Sequence, residues 1–502
     1  MRRRVVLGVD VGTTATKTTA FATDGTALAG SSHPYPLDVA RPGRAEQDPR
    51  LVLDAVLRTV RATASRCREQ GHEVTGIAVS TAMHGLCALD AQDRPTTPIV
   101  TWADVRARPQ ADAIRDADPG VHDRTGTPVH PMSPLAKLAW FREEEPAVFA
   151  AAARWVGVKE LVLHALTGRW ALDASVASGT GLWNATTRDW DAGALRLAGV
   201  DAGRLAPVVA TTAVLGGLTA HTASVVALPA DTPVVAGAGD GPLANVGVGA
   251  LRPGLAACSI GTSGALRLTV DRPGVDPRRR LFSYVLDDDR WVTGGAISNG
   301  GSVLRWVGEA LAPDLGTGAE EALLALAATA PAGSDGLVLL PSLLAERAPT
   351  WRGDARGAYV GLTARHGRAH LVRAAVEGVC LQLALVLASL REAGHAVDEL
   401  RATGGFARSP FWRQLLADVL GLPVGFPEQH DGSALGAAVV GMHALGLVDG
   451  TDDLAGRLAM TETRVPDPDA AARYAALLPV FAGLQDALEP GLRDLRRLSG
   501  EA

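Results

Sequence analysis

One short turn in this chain carries residue types suited to phosphate. An apolar run ends in Asp10-Val11-Gly12-Thr13-Thr14, and an alternating run over residues 16–22 then reaches Asp24-Gly25, a hairpin dipeptide. Gly12 lets the backbone come close to a ligand, and the N–H and hydroxyl groups of Thr13 and Thr14 suit anionic oxygens, with Lys17 just beyond them. Asp10, at the end of a buried strand, is an expensive charge unless a cation or a hydrogen-bond network accompanies it. The natural cation is hydrated Mg²⁺ carrying a nucleotide; a hydrogen-bonded structural carboxylate is the plainer alternative.

The turn recurs. Ser259-Ile260-Gly261-Thr262-Ser263 again follows an apolar strand and precedes another, over residues 265–270, and it matches the first turn in kind at four of five positions with Asp replaced by Ser. The offset, 249 residues, is almost half of the 502-residue chain, which reads as an internal duplication. Two similar domains facing each other across a cleft place both hairpins on one polyphosphate. Only the first brings a carboxylate for a metal.

Other residues with chemistry sit at strand ends. Asp240, in Gly237-Ala238-Gly239-Asp240-Gly241, has small neighbours that permit close ligand approach. It fits a general base aimed into the cleft and, equally on spacing, an Asx turn or N-cap before a helix over residues 242–251. Met83-His84 follows a strand over residues 74–80 and reads as a ligand contact or as a core pair. Trp102, Asp104 and Arg106 read as polyol and carboxylate recognition, since arginine binds a carboxylate bidentately, or as a surface salt bridge beside an aromatic anchor. His130 and Lys137 belong to an irregular loop over residues 125–134 and the helix after it, and Lys137 also fits a structural role. Gly404-Gly405, followed by Ser409 and a helix over residues 410–420, suits close approach to a nucleoside. Residues 351–356, Trp-Arg-Gly-Asp-Ala-Arg, read as an exposed loop or a solvated charge cluster.

The elements that must position these groups are those of a mixed α/β chain: strands, a helix capped by Asp48-Pro49, then strands alternating with helices. Residues 102–230 differ in texture and read as an insertion that builds a specificity pocket, and a composition shift at 230–233 opens the second half. A helix from Asp431-Gly432-Ser433 to about residue 445 and a packing tail from Pro466 complete it. Length alone argues for two domains. Hydrophobic residues at 47 % and charged ones at 20 % are ordinary for a globular protein, and the net charge of −6 argues against a nucleic-acid surface. The cysteines, Cys67, Cys87, Cys258 and Cys380, lack metal-ligand spacing and read as buried thiols in a reducing compartment. No apolar run approaches a membrane span, and Met1-Arg2-Arg3-Arg4 does not open a signal peptide, so a cytoplasmic protein without membrane partners is expected.

These residues resemble the FGGY carbohydrate kinase family of the actin and hexokinase-like superfamily. Residues 132–140, Met-Ser-Pro-Leu-Ala-Lys-Leu-Ala-Trp, look like its first signature, and residues 357–377 like its second. Within the family the likeness is greatest to gluconokinases, through Thr81-Ala-Met-His84, Thr101-Trp-Ala-Asp104 with Arg106, residues 125–134, and the Val158-Lys159-Glu160 helix. The resemblance implies two duplicated RNase H-like, actin-like ATPase domains, residues 1–245 and 246–502, with mixed sheets flanked by helices and a cleft between them. It implies that Asp10 and Asp240 lie at the metal, Asp240 being the catalytic base. Gly12, Thr13, Thr14 and Lys17 then hold ATP phosphates, faced by Gly261 and Thr262, while Gly301, Arg305, Gly404, Gly405 and Ser409 fall at the nucleotide. Met83, His84, Trp102, Asp104, Arg106, His130 and Asp240 surround the sugar. Ser409 stands where some relatives have Asn. The implied reaction is ATP-dependent phosphorylation of a terminal hydroxyl on a small sugar or sugar acid, D-gluconate first. A pentulose or polyol kinase is the alternative, and a nucleotide-driven conformational switch is a remote one. A homodimer is compatible with the chain but specified by no residue in it.

Overall fold

The computed structural model describes residues 3–499 apart from 275, 317, 429–431 and 457. Asp431 therefore lies outside the described residues. Two mixed sheets carry the architecture. The first orders its strands Val234–Val235, Glu73–Thr81, Arg4–Val11, Ala15–Ala22, Ala27–Pro34, with the first three parallel and the last two added antiparallel. The second has seven strands: Phe282–Val285, Trp291–Ile297, Gly264–Val270, Gly254–Ile260, Val397–Thr403, Val424–Pro427 and Met460–Arg464. In each, an antiparallel hairpin ends at the glycine-threonine turn, and its first strand pairs in parallel with a later one. The duplication reaches into the register. The parallel pairing slips between Val5 and Val6 in one sheet and between Gly254 and Leu255 in the other, at the same 249-residue offset.

Local chemistry explains the helices. Asp48 caps Pro49–Glu69 by accepting from the Arg50 amide, and proline at the first position costs no hydrogen bond there; Val52, Val56 and Val60 form the buried stripe. Ser133 caps Pro134–Glu144 and Ser409 caps Pro410–Leu420 in the same way. Arg368–Glu392 is long and apolar enough to cross a membrane, but 78 % of its most apolar window is buried inside the protein, the position of a core helix. On it, Arg373 and Glu377 meet the Tyr474 hydroxyl, 2.6 Å from Glu377, which fastens the final helix Pro468–Leu498 to the second sheet's helices. The expected packing tail is that helix.

Asp240–Gly247 begins two residues earlier than the sequence suggests and ends four earlier, since Gly249, at φ 67°, turns the chain out of the helix. Its neighbour Gly432–Ala444 lies in sequence between the last two strands of the second sheet but packs on the first. A Cβ at Gly247 would lie 1.8 Å from the Gly432 carbonyl oxygen, and one at Gly436 2.1 Å from that of Leu243, so only glycine permits this crossing. Thr125 also differs from the loop reading, closing a short helix, Val121–Thr125.

Candidate active site

The first turn is held from several sides. The Tyr35 hydroxyl donates to the Gly12 carbonyl (2.7 Å), the Gln47 amide to that of Thr13 (2.6 Å), and the Tyr35 N–H to that of Thr14 (2.9 Å). The Gly12 N–H is taken as well, by the Ala15 carbonyl (3.0 Å), so the exposed Thr14 is the part of the turn left to meet a ligand. Asp10 accepts from the Ser80 hydroxyl at 2.8 Å and lies opposite Lys17 across the hairpin. Among the described residues no group of three or more His, Cys, Asp or Glu could hold a metal ion. A divalent cation here would draw on phosphate oxygens and water beside a carboxylate, the donor set that suits a nucleotide-borne ion.

Trp102 joins this turn to the pocket behind it. Its indole N–H donates to the Thr13 hydroxyl at 2.8 Å, while its ring carries the Arg347 guanidinium 4.5 Å away. Met83 fits because residues 179 and 239 are glycine: a Cβ at either would come within 2.6 Å of the Met83 side chain. His84 holds a left-handed backbone, φ 67°, uncommon outside glycine and typical of functional positions. Its Nδ1 lies 2.8 Å from the Gly179 carbonyl, so Nδ1 carries the proton and Nε2 is an acceptor. His130 is the complement. Its Nδ1 accepts from the Met132 amide, which leaves Nε2–H a buried donor with no well-formed hydrogen bond among the described residues, the Glu346 backbone being its nearest acceptor. Burial pulls both imidazoles down to about 3, helped by Lys137 at His84 and by Arg347 at His130, so both rings are neutral. One acceptor and one donor match a polyol hydroxyl, which needs both.

In this pocket the structure shows the plainer of the two readings at Arg106 and at Lys137. Arg106 gives its donors to Asp104, at 2.9 and 2.6 Å, and to Glu46, while Asp104 is buried and also accepts the Ala45 amide. Three of the five Arg106 N–H groups are thus spent on carboxylates of the protein itself. Lys137 is structural: its ammonium donates to the carbonyls of His84, Val100 and Thr101, tying the His84 turn to the Trp102 turn. Trp351, read as part of an exposed loop, is buried against the His130 ring, with centroids 6.0 Å apart.

Asp240 is the first residue of its helix, and Gly239 is the cap. Its carboxylate accepts the Gly241 amide at 2.7 Å. Solvent still reaches it, yet the surrounding walls push its pKa up, a shift that Arg267, Arg347 and Lys159 oppose. Lys159 sets where it stands. Fully buried and paired with Asp173 at 3.4 Å, it donates to the carbonyls of Val79, Ala236 and Ala238, which clamps together the strand ends that lead to Met83-His84 and to Asp240.

The second turn is held differently. The amide of Gly301 takes the Gly261 carbonyl (2.7 Å), and the Gly300 amide and Ser302 hydroxyl take that of Thr262 (3.1 and 2.9 Å), all from the start of the helix Gly301–Leu311. Gly261 and Thr262 are exposed, and so is Arg305 one turn into that helix. Gly404, at φ 116°, lies so close to the second turn's strand that a Cβ would be 2.2 Å from the Ile260 carbonyl oxygen, while Gly405 borders open space. Ser409 caps the next helix, its hydroxyl accepting the Trp412 amide.

Sequence reasoning missed the second-half wall of the pocket: Tyr284, Arg267 and Arg347. Arg267 breaks an apolar alternation on its strand, the one available signal; Arg347 had none.

The comparisons agree with this geometry. Residues 5–247 match the model of the FGGY family of carbohydrate kinases, N-terminal domain, and residues 256–445 that of its C-terminal domain. The chain is 39 % identical to the gluconokinase of Bacillus subtilis (strain 168) over 96 % of both chains, and 31 % identical to the xylulose kinase of the same strain over 90 % of both. It superposes on the gluconate kinase of Lactobacillus acidophilus with a TM-score of 0.91 at 33 % identity, covering 97 % of this chain and 98 % of the other. The chain therefore belongs to the FGGY family of carbohydrate kinases and is a phosphotransferase with an alcohol acceptor.

Proposed function

We propose that the enzyme transfers the γ-phosphate of ATP, with Mg²⁺ as its divalent ion, to the terminal hydroxyl of D-gluconate. The observation that carries the transfer is Asp240, a single carboxylate at a helix start, flanked by glycine and raised in basicity by its walls. In this reading Asp240 accepts the hydroxyl proton as that oxygen attacks the γ-phosphorus, the bond to the ADP oxygen breaks, and 6-phosphogluconate and ADP are released. Gly12, Thr13 and Thr14 hold the terminal phosphates, with Gly261 and Thr262 opposite. Gly301, Arg305, Gly404 and Gly405 border the nucleotide, and the two halves meet near residue 245. Asp10 holds the metal, which neutralises phosphate charge when bound. His84 Nε2, His130 Nε2–H and Trp102 orient the sugar, and closure of the halves excludes water.

Gluconate is favoured by the higher identity to the gluconokinase than to the xylulose kinase. A ketose keeps a claim, because a xylulose kinase of Lactobacillus acidophilus superposes with a TM-score of 0.92, also at 33 % identity. ADP release measured with gluconate, xylulose, ribulose and glycerol decides the substrate: gluconate is expected to give the highest kcat/KM, and a higher value for any of the others removes the assignment. Asp240→Asn is expected to bind an ATP analogue normally and lose at least about 10²-fold in kcat; turnover retained in that variant would refute the base.

A further inference from the structure

A buried guanidinium is costly unless acceptors meet its N–H groups. The arginines around this cleft divide on that point. Arg106 is taken up by Asp104 and Glu46. Arg347 donates to the Ile297 carbonyl (2.9 Å) and the Ser298 hydroxyl (3.3 Å) and lies over Trp102. Arg267 differs from both. Among the described residues its side chain makes one hydrogen bond, a long one of 3.3 Å from Nη1 to the Ser259 hydroxyl, and no salt bridge. Most of its five donors are uncommitted.

Its surroundings say which way they face. A Cβ at residue 241 would come 3.2 Å from Arg267 Nε, so glycine there lets the guanidinium lie along the helix start that presents Asp240. Asp240 is its largest charge partner, yet the two do not reach salt-bridge distance, which leaves a gap between a cation and the proposed base. The other charged or titratable neighbours are Cys258, Tyr284 and a second guanidinium, Arg347. The Tyr284 hydroxyl is buried and has no partner, and its ring meets the His84 ring edge-on at 5.8 Å. Arg267 therefore opens on the sugar side of Asp240.

We propose that Arg267 is the anion anchor of the sugar pocket, taking the carboxylate of a sugar acid while Asp240 takes the hydroxyl at the other end of the same molecule. This rests on the sugar-acid reading above. A phosphoryl oxygen of the nucleotide has similar chemistry, and Arg267's one hydrogen bond goes to Ser259 at the base of the second turn, but its other neighbours are Tyr284, Cys258, Arg347 and Gly241 rather than residues 261–263. Arg267 is then the specificity residue that Arg106 is not.

The test compares D-gluconate with its neutral amide, D-gluconamide, which keeps the chain length and the terminal hydroxyl. In Arg267→Gln the ratio of kcat/KM for gluconate over gluconamide is expected to fall about 10–100-fold, the scale of one charged hydrogen-bonded contact, because a ratio does not depend on how much of the variant folds. The Kd of an ATP analogue stays within about threefold, and Arg267→Lys recovers part of the ratio. Ser259→Asp, which sets a carboxylate beside the guanidinium, lowers the ratio in the same direction and serves if Arg267→Gln does not fold. An unchanged ratio in both variants overturns the inference while leaving gluconate kinase activity intact. So does a weakened ATP-analogue Kd with an unchanged gluconate Kd, which assigns Arg267 to the nucleotide. A wild-type enzyme that ignores gluconate and phosphorylates xylulose overturns the inference together with the function on which it rests.

Discussion

The two hairpins share a backbone and differ in what holds them. The first has its turn carbonyls taken mainly by side chains from distant elements, Tyr35 and Gln47, and presents a carboxylate at Asp10. The second has its carbonyls taken by the start of the helix that follows, and it presents a serine. Its turn is also shorter by one residue: Val11 pairs with Thr16 around four turn residues, whereas Ile260 pairs with Gly264 around three. The duplication therefore preserved the sheet, down to its register slip, and let the turns specialise. In the first half Trp102, which lines the sugar pocket, also grips the phosphate turn, so sugar and phosphate sites share a side chain. The second half has a weaker counterpart in the long bond from Arg267 to Ser259, and what it adds to the sugar pocket is positive charge, from Arg267 and Arg347.

If that division of labour is right, equivalent positions should respond unequally. Asp10→Asn is expected to lower kcat about 10²–10³-fold, as removal of one preorganised charge does, and to raise the Mg²⁺ concentration needed for half-maximal rate. Ser259→Ala, its counterpart, should change kcat less than about threefold, since only a long hydrogen bond is lost. Mg²⁺ titrations of the two variants side by side would break the comparison if their losses were equal.

A smaller effect sharpens the link between sites. Trp102→Phe keeps the ring under Arg347 but loses the bond to the Thr13 hydroxyl, worth about 1 kcal/mol. We expect about a fivefold drop in kcat/KM for both ATP and sugar. Ser302→Ala, which removes a side-chain bond to the exposed second turn, should move neither by as much as twofold. A drop confined to one substrate in Trp102→Phe would mean that the indole does not couple the sites.

The frame of this molecule was legible because its signals are local. The Gly-Thr turns, Asp48-Pro49 and Ser409-Pro410 each specify their own conformation, and the helices they open begin where the residues say. What escaped depends on partners far away in the chain. Nothing near Arg106 announces that Glu46 will reach it, although two carboxylates of the protein itself meet the guanidinium. Arg347 and Tyr284 come to the pocket across the cleft, 263 and 200 positions beyond His84, through contacts that no periodicity encodes. Ser409 was read for its chemistry when its position before a proline already made it a cap.

The last difference between the halves is one of charge state, and pH separates it. The first-half wall of the pocket is two imidazoles held neutral, with pKa values pulled to about 3 by burial, while the second-half wall is guanidinium, charged at every usable pH. Sugar binding should then show no inflection from either histidine near 6.5, their ordinary value: a step in KM for gluconate between pH 5.5 and 8.5 is expected only from Lys137, which burial pulls down to about 7. Stability should carry the histidines' signature instead. Because each folded pKa lies below the unfolded one, the unfolded chain binds more protons between about 6.5 and 3. The contribution is therefore complete above pH 6.5 and is lost as pH falls through that window, by about 1.4 kcal/mol per pH unit for each ring. Urea unfolding of wild type and His130→Gln at pH 7.5 and pH 5.5 tests this: the variant should lose about 1.4 kcal/mol less than wild type between the two. Equal losses would mean that His130 takes up a proton in the folded pocket, and both walls of the sugar site would then be cationic in acid.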